Sequence, residues 1–194
     1  WLTRHPPYPH TETELEDCLH GLMEVEFVYQ NEFYPEAVYA FRHPIVMEVA
    51  YHSLLSRPRA EMHRRAALAF ETLQFENRDE IAGLLASHWE KAGEPFKAAR
   101  WHRQAARVAG FAEVQRTFYH WDQALKLAQL APAGEDALKL QLEACCGALD
   151  VGGRVDVSPR QVKDIFETGR QLAEKFEDFH SLVRLHEDMA ARLG

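Results

Sequence analysis

The sequence lacks the patterns that assign a chain to a common enzyme or membrane class. Its ten glycines do not form the Gly-rich turn, followed by Lys and Ser or Thr, that holds phosphates in a P-loop. No apolar run approaches the ~20 residues that cross a bilayer, so we expect no membrane partner. The three cysteines, Cys18, Cys145 and Cys146, have no CxxC spacing and form no disulfide framework, which indicates a reducing cytoplasm.

Motifs for catalysis and metal binding are also missing. The eleven histidines include no HExxH pair and no Cys/His ligand spacing, and His88 and His102 fall on apolar helical stripes, where packed histidines are common. Ser53 follows His52, but adjacent residues on a helix do not face one another, and no GxSxG motif surrounds the serine. We therefore expect no enzyme activity, no catalytic residue, no metal site and no bound cofactor in this segment.

Negative charge dominates the composition. The chain has 30 Asp and Glu against 22 Lys and Arg, a formal net charge of -8 and a pI near 5.8. Clustered Lys and Arg are what bind phosphate backbones, so nucleic acid is not an expected partner. The chain starts at Trp1 with no signal-like segment and ends at Gly194, and we expect it to be a segment of a longer protein.

The spacing of apolar residues changes along the first part of the chain. Residues 1–12 contain three closely spaced prolines and predict a linker or arm. A helix is predicted next, because Thr13 and Glu16 have capping-box spacing and apolar residues then recur every three or four positions. The runs at 25–30 and 38–43 are rich in β-branched and aromatic residues and predict a β-hairpin.

Helical periodicity follows to the end of the chain. Pro44 suits the first turn of a helix that carries its apolar residues inward and stops before Pro58. Every later apolar stripe also has helical spacing. Gly or Pro residues separate these stripes, and Gly93 and Gly110 are predicted to end two of the helices. Asn77 and Ser158 are predicted as N-caps of later helices. Successive helices with short connections predict an α-solenoid over 58–194, in which each hairpin buries its apolar face against its neighbours.

The repeat type can be tested at single positions. Tetratricopeptide (TPR) repeats have a period of about 34 residues, with small residues where paired helices touch and aromatic residues at fixed offsets. Over about 76–194 the pattern is degenerate, because later helices are spaced irregularly and His102 occupies a position that is usually aromatic. The residues at matching offsets are Leu85, Ala86, Trp89, Ala98 and Ala105. We therefore predict a TPR-like array of antiparallel helical hairpins.

The run FRHPIVMEVAYHSLLSRPRAEMHRRAALAFE at 41–71 resembles the junction between a winged helix and a TPR-like array in bacterial multidomain signalling ATPases. These STAND-type regulators, some associated with adenylate or guanylate cyclases, join a P-loop core and an output domain to the two parts. The resemblance implies a winged-helix-like segment with a short β-hairpin at 13–57, followed by the array at 58–194. It implies a mostly α fold and a regulatory role.

The resemblance also implies a role for His43. In related ATPases a histidine at the start of the final helix of the winged helix contacts the β-phosphate of bound ADP and holds the closed, inactive state. His43 is the matching residue, and the N-terminus of the helix beginning at Pro44 would add positive potential there. The alternative is structural, with His43 capping this helix and packing on the hairpin. The sensor role is expected only in a longer protein that contains the ATPase core.

Two further groups of residues are candidates for binding a protein partner. The basic cluster near the junction is interrupted by Glu61, so it predicts either a solvated helix face or a contact to another domain. The tryptophans recur at helical spacing, which favours core packing, although a concave array face could present them to a peptide. The candidates are Arg57, Arg59, Arg64 and Arg65 in the first group and Trp89, Trp101 and Trp121 in the second.

Together these patterns predict a non-catalytic regulatory and protein-interaction module of a larger signalling ATPase or cyclase, which couples nucleotide state to an output domain. The alternative is a free-standing TPR-like scaffold that binds peptides. A third interpretation, a nucleic-acid-binding winged helix, requires basic residues on the helix before the wing. That helix has no Lys or Arg and instead carries Glu14, Glu16, Asp17, Glu24 and Glu26. Repulsion from phosphates opposes this interpretation.

Overall fold

The computed structural model of the protein describes residues 11–32, 38–72 and 80–191. Over these ranges it contains nine α-helices and one two-stranded antiparallel sheet, with 77% helix. The prediction of a mostly helical chain with a short β-hairpin is therefore confirmed. Most of the predicted N-terminal arm lies outside the described residues. The chain divides into two compact units, residues 1–59 (unit 1) and 60–194 (unit 2).

The described part of unit 1 begins with helix α1, Glu12–Glu24. A capping box closes its N-terminus: Thr11 Oγ1 accepts a hydrogen bond from Glu14 N at 3.3 Å, and Glu14 Oε2 accepts one from Thr11 N at 2.7 Å. The prediction that Thr13 and Glu16 form this box is wrong by two residues. The pattern Thr-x-x-Glu occurs twice in succession here, and the helix uses the first copy, with Thr11 as its N-cap.

The hairpin of unit 1 pairs strand β1, Val28–Glu32, with strand β2, Val38–Phe41. The pairing is antiparallel, with a register shift within β1. Strand β1 begins later than the predicted 25–30, because Phe27 N still donates to Leu22 O at 3.0 Å where α1 ends. The residues that resemble the first half of a strand therefore form the exit from the helix.

Two helices follow the hairpin. Helix α2, Pro44–Ser53, has its proline in the first turn as predicted, where the missing N–H leaves no hydrogen bond unmade. Helix α3, Ser56–Thr72, begins before the predicted start at Pro58, and this second proline also lies in a first turn. The two helices are separated only by a short break.

Unit 2 continues after α3 with α4 (Ala82–Lys91), α5 (Pro95–Ala109), α6 (Val114–Leu130), α7 (Glu135–Gly152), α8 (Pro159–Lys175) and α9 (Phe179–Ala190). From α4 onward each helix packs against the next, and the short connections make neighbours antiparallel. Helix α7 also contacts both α5 and α9, so these three helices lie side by side.

Several predicted helix ends occur where the sequence placed them. Gly93 and Gly110, which follow α4 and α5, have φ values of 73° and 52°, in the left-handed region that glycine adopts most easily. Ser158 is the N-cap of α8, and its hydroxyl accepts a hydrogen bond from Gln161 N at 3.2 Å. The cap predicted at Asn77 lies outside the described residues.

Two clusters of buried side chains form the core of unit 2. The first joins α6 to α9 and includes Leu125, Leu142, Cys145, Ile165 and Leu185. The second joins α3, α4 and α5 to α6 and α7 and includes Ala67, Leu85, Trp89, Ala98 and Leu140. All five residues predicted at repeat offsets are buried. None of the helices within the described ranges is both long and apolar enough to cross a lipid bilayer.

A glycine allows close packing between α6 and α7. A Cβ atom added at Gly147 would lie 2.6 Å from Cδ2 and Nε1 of Trp121 and closer still to Cε2, which is nearer than real side chains approach. The indole of Trp121 therefore lies directly against the backbone of α7, and this side chain is only 7% exposed. Such contact is typical of a close-packed interior.

Candidate functional site

Unit 1 exposes most of its large apolar side chains. Among its described residues, Val28 is the only hydrophobic residue that is buried. Helix α2 is mostly apolar and has only one carboxylate, yet none of its residues is buried. Scattered apolar residues are normal on a surface, but a dense set is typical of interaction sites. We call this set the unit 1 surface: Leu22, Val25, Phe27, Tyr29, Val38, Phe41, Ile45, Met47, Val49 and Leu55.

His43 is the N-cap residue of α2, with φ -127° and ψ 128°. Its imidazole is exposed and makes no cap hydrogen bond within the described part of the chain. His43 therefore occupies the cap position through its backbone alone, and its imidazole is not used in a cap hydrogen bond. A group that approaches the N-terminus of α2 would meet both the ring and the positive end of the helix dipole.

The first two arginines of the predicted basic cluster lie in unit 1. Arg57 is exposed. Arg59 Nη2 donates a hydrogen bond to Leu54 O at 2.7 Å, and the guanidinium carbon lies 4.7 Å from the centroid of the Tyr51 ring. This arginine ties the start of α3 to the end of α2 and stacks on an aromatic face. Arg59 thus has a structural contact that the sequence pattern did not indicate.

The other two arginines of the cluster lie in unit 2 and have acidic neighbours. Arg65 Nε is 2.9 Å from Glu61 Oε1, one helical turn away. Arg64 Nε is 3.6 Å from Glu94 Oε1, which links α3 to the start of α5. Such partly exposed pairs contribute little stability each, but they satisfy much of the positive charge of the cluster.

The tryptophans occupy interior positions. Trp89 is fully buried and Trp121 nearly so, while Trp101 is half-buried. Trp89 Nε1 and Trp101 Nε1 donate to the same oxygen, Glu71 Oε1, at 2.8 Å and 2.7 Å. One carboxylate of α3 therefore holds indoles of α4 and α5 together. The two most buried rings, those of Trp89 and Trp121, are packed in the core, which is the interpretation that their helical spacing favoured.

A cavity of about 490 Å³ opens beside α7 and α9 in unit 2. Its volume lies within the usual range for sites that bind small molecules, ~300 to 1,000 Å³. The apolar part of the lining is Leu142, Cys146 and Phe176, and the charged or polar part is Glu135, Lys139, Glu143, Asp178, His180, Ser181 and Arg184. The cavity therefore combines an apolar contact area with groups of both signs.

Helix α5 adds a row of arginines next to this cavity. The helix contains no Asp or Glu, and Arg100, Arg103 and Arg107 recur at the spacing that places side chains on one side of a helix. Arg103 Nη1 donates to Glu143 Oε2 at 3.4 Å, and Arg107 Nη2 donates to the other oxygen of the same carboxylate. Glu143 also lines the cavity, so the row and the cavity are continuous.

A second arginine contact extends this arrangement to α9. Arg184 Nη2 donates to Asp150 Oδ2 of α7 at 3.0 Å. Carboxylates of α7 are thus held by guanidinium groups from the helices on either side of it, which is the charge-assisted geometry that arginine favours. We call this region the α5–α7–α9 face: Arg100, Arg103, Arg107, Glu143, Asp150 and Arg184, together with the cavity.

Two histidine pairs lie inside unit 2. His63 Nδ1 of α3 is 3.1 Å from His88 Nδ1 of α4, and His102 Nδ1 of α5 is 2.9 Å from His120 Nδ1 of α6. In each neutral pair one nitrogen donates and the other accepts. Burial lowers the pKa of His102 to about 4, and burial, His102 and Arg116 together lower the pKa of His120 to about 4. His102 and His120 are therefore neutral packing groups near pH 7.

Other residues of types that can be reactive have local structural roles. The Cys145 and Cys146 thiols are buried, and burial raises the pKa of both, so their reactive thiolate form is disfavoured. The Ser53 hydroxyl donates to Ala50 O at 2.7 Å within its own helix. Over the described residues, no group of three or more His, Cys, Asp or Glu side chains is arranged to hold a metal ion.

Several of these contacts escaped the sequence patterns. The shared acceptor Glu71, the two histidine pairs and the double contact of Glu143 join residues of different helices, and sequence periodicity does not predict which side chains meet across an interface. One signal was readable. An α5 helix without any carboxylate, in a chain of net charge -8, indicates a local basic surface.

No protein-family model matches this chain, and no curated protein matches its sequence. The unit 1 surface and the α5–α7–α9 face are therefore the features from which a function can be inferred.

Proposed function

We propose that this chain is a non-catalytic regulatory module that binds proteins within a larger cytoplasmic signalling ATPase or cyclase. The unit 1 surface carries the proposal. A large apolar side chain gains about 1.5 to 3 kcal/mol when it moves from water to a buried position. A surface as rich in such side chains as α2 and the hairpin is therefore suited to being covered by another protein domain.

The finer assignment rests on the resemblance of 41–71 to the winged-helix junction of STAND-type regulators. Two observations support it. The hairpin followed by a helix with a proline in its first turn is the arrangement that the resemblance implies. His43 has an exposed imidazole at the N-terminus of α2, so it could donate a hydrogen bond to a phosphate of ADP bound in the ATPase core.

Unit 2 is, in this proposal, a TPR-like array that transmits the state of the ATPase to an output domain. The support is the consecutive packing of α4 to α9 and the burial of small residues where helices meet, with Ala86, Ala98 and Ala105 all 5% exposed or less. Sequence spacing places these alanines at repeat offsets. Arrays of this kind present extended surfaces for partner proteins.

The coupling role can be tested in the full-length protein. Its coding sequence should contain a P-loop outside this segment, and His43→Ala should weaken ADP binding about tenfold, because it removes a hydrogen bond to a charged partner. His52→Ala is the matched control, since His52 is exposed at the other end of the same helix. Absence of a P-loop, or equal ADP affinity in both variants and the parent, would refute the coupling role.

The isolated chain provides a separate test of the non-catalytic character. Without a P-loop it should bind neither ATP nor, given the acidic α1, duplex DNA at physiological salt. Titration calorimetry with each ligand measures this directly, and micromolar binding of either one would contradict the proposal.

A free-standing peptide-binding scaffold is the second candidate function. The α5–α7–α9 face favours it, because a cavity continuous with a row of arginines needs no ATPase core to be useful. The two candidates predict different effects of substitution. Ile45→Asp on the unit 1 surface should disrupt regulation of the ATPase in the first and leave peptide binding unchanged in the second.

A further inference from the structure

We propose that the α5–α7–α9 face binds an extended acidic segment of a partner protein, whose carboxylates contact the arginine row while one of its apolar side chains enters the cavity. The inference rests on the proposed protein-binding function and names the chemistry of the partner. Its basis is charge complementarity, a carboxylate already held on this face, and a cavity with an apolar lining.

The arginine row is a basic feature in an acidic chain. The net charge is -8, yet α5 contains no carboxylate, and Arg100 is exposed beside Arg103 and Arg107. A local cationic row attracts an acidic segment more strongly than the remaining surface does, because charges beyond about 10 Å are largely screened at physiological salt. The row therefore selects for negative charge despite the net charge of the whole chain.

Glu143 shows how a carboxylate is held on this face. One carboxylate oxygen accepts from Arg103 and the other from Arg107, with the Glu143 side chain 32% exposed. Each guanidinium has five N–H donors, so both arginines keep donors for a further acceptor. Glu143 therefore occupies part of the site that a ligand carboxylate would use, and it competes with that ligand.

The cavity supplies the apolar contact. Leu142, Cys146 and Phe176 contribute its apolar lining, and about 490 Å³ is enough for a Leu or Phe side chain with its adjoining backbone. Lys139 Nζ lies 5.9 Å from the centroid of the Phe176 ring, so a cation flanks this apolar area. An acidic segment with an apolar residue between carboxylates matches this arrangement.

The carboxylates of the cavity do not reverse this preference. Glu135 is paired with Lys139 one turn along α7, and Asp178 accepts two hydrogen bonds from Ser181 at the N-terminus of α9. Glu143 is shared by two arginines. Each of these acids is thus already neutralised or bonded, whereas Arg100 and Arg107 are exposed to solvent. A basic segment would meet few unpaired carboxylates.

The test uses three synthetic peptides of equal length, labelled with fluorescein, that repeat Glu-Glu-Leu, Gln-Gln-Leu or Lys-Lys-Leu. Fluorescence anisotropy with the full chain should give the highest affinity for the Glu-Glu-Leu peptide, and added salt should weaken it. Replacing both Arg103 and Arg107 by Gln should reduce that affinity about fivefold, because partly exposed charge pairs are individually modest.

A variant that is expected to bind more tightly distinguishes a change in ligand contacts from a loss of structure. Glu143→Gln removes the competing charge and should tighten binding of the Glu-Glu-Leu peptide about twofold or more. Arg160→Gln is the matched control: Arg160 is exposed on α8, which does not contribute to the arginine row. This variant should bind as the parent does. Circular dichroism melts establish that every variant is folded.

The remaining outcomes overturn the inference. Equal affinity for all three peptides, preference for the Lys-Lys-Leu peptide, or no binding of any peptide would each refute an acidic ligand. Binding that is unchanged in both the arginine variant and Glu143→Gln would place the ligand elsewhere on the chain. The proposed regulatory function is judged separately by Ile45→Asp and His43→Ala in the full-length protein, so the two ideas fail independently.

Discussion

Replacing Gly147 by Ala should strongly destabilise unit 2, because the glycine allows the Trp121 ring to lie against the backbone of α7. The added methyl group would be 2.6 Å from two atoms of the indole, whereas ordinary contact begins at 3.4 Å. Because Cε2 of the indole would be closer still, the ring or the helix must move by more than 0.8 Å, the difference between these two distances. Neither partner is the flexible end of a long side chain, so the strain cannot be relieved locally.

The magnitude follows from two opposing effects. Overpacking a core costs about 1 to 3 kcal/mol, and more when backbone has to shift. Alanine inside a helix is about 1 kcal/mol more favourable than glycine, which offsets part of this cost. We expect a net loss near 2 kcal/mol in the free energy of unfolding, equivalent to a drop of about 4 to 10 °C in Tm for a unit of this size.

Urea denaturation followed by circular dichroism measures this loss, with Gly83→Ala as the matched control. A Cβ at Gly83 would be 3.5 Å from His120 Cε1, an ordinary contact, so this variant should be neutral or slightly stabilised. Combining Gly147→Ala with Trp121→Leu should cost less than the sum of the single changes, since the smaller side chain leaves room for the methyl group. A Gly147→Ala variant as stable as the parent would refute the packing argument.

The remaining stability predictions concern buried polar groups. Because the folded-state pKa of His102 and His120 is about 4 and their ordinary value is 6.5, the unfolded chain binds more protons between these pH values. Stability should be complete above about pH 7 and fall as the pH drops through 6.5, by roughly 2 to 4 kcal/mol at pH 5. Urea denaturation at several pH values measures this loss. Replacing His102 by Phe and His120 by Leu should flatten the dependence of stability on pH. An unchanged slope of stability against pH would contradict the lowered pKa of the two histidines. Glu71→Ala should cost about 2 to 3 kcal/mol, because it leaves the Trp89 and Trp101 N–H groups without their acceptor. Glu71→Gln keeps an oxygen there and should cost less than half as much in the same assay, and equal losses would show that the hydrogen bonds contribute little.

Local signals in the sequence were reliable where a single residue type governs the backbone. Pro44 begins α2, Ser158 caps α8, and Gly110 ends α5 in a left-handed conformation, each at its predicted position. Errors occurred where two equivalent signals compete. The two overlapping Thr-x-x-Glu patterns are equally good caps in isolation, and only the start of α1 decides between them.

The exposed surface was the part that periodicity described least well. The apolar residues of α2 were expected to point inward, yet no residue of this helix is buried in the described structure. Apolar residues at helical spacing predict that one face of the helix packs against another surface. They do not show whether that surface belongs to the same unit. The unit 1 surface could therefore be recognised only after burial was known.

By itself the sequence determined the helical class, the hairpin, most helix boundaries and the acidic character of the chain, because these depend on residue type and on neighbours along the backbone. Tertiary structure alone decided which side chains meet. It brought Glu71 to two tryptophans, paired His102 with His120, placed Gly147 under Trp121 and joined Glu143 to the arginines of α5. These contacts link residues far apart in sequence, and their geometry follows from how whole helices pack, which no short pattern contains.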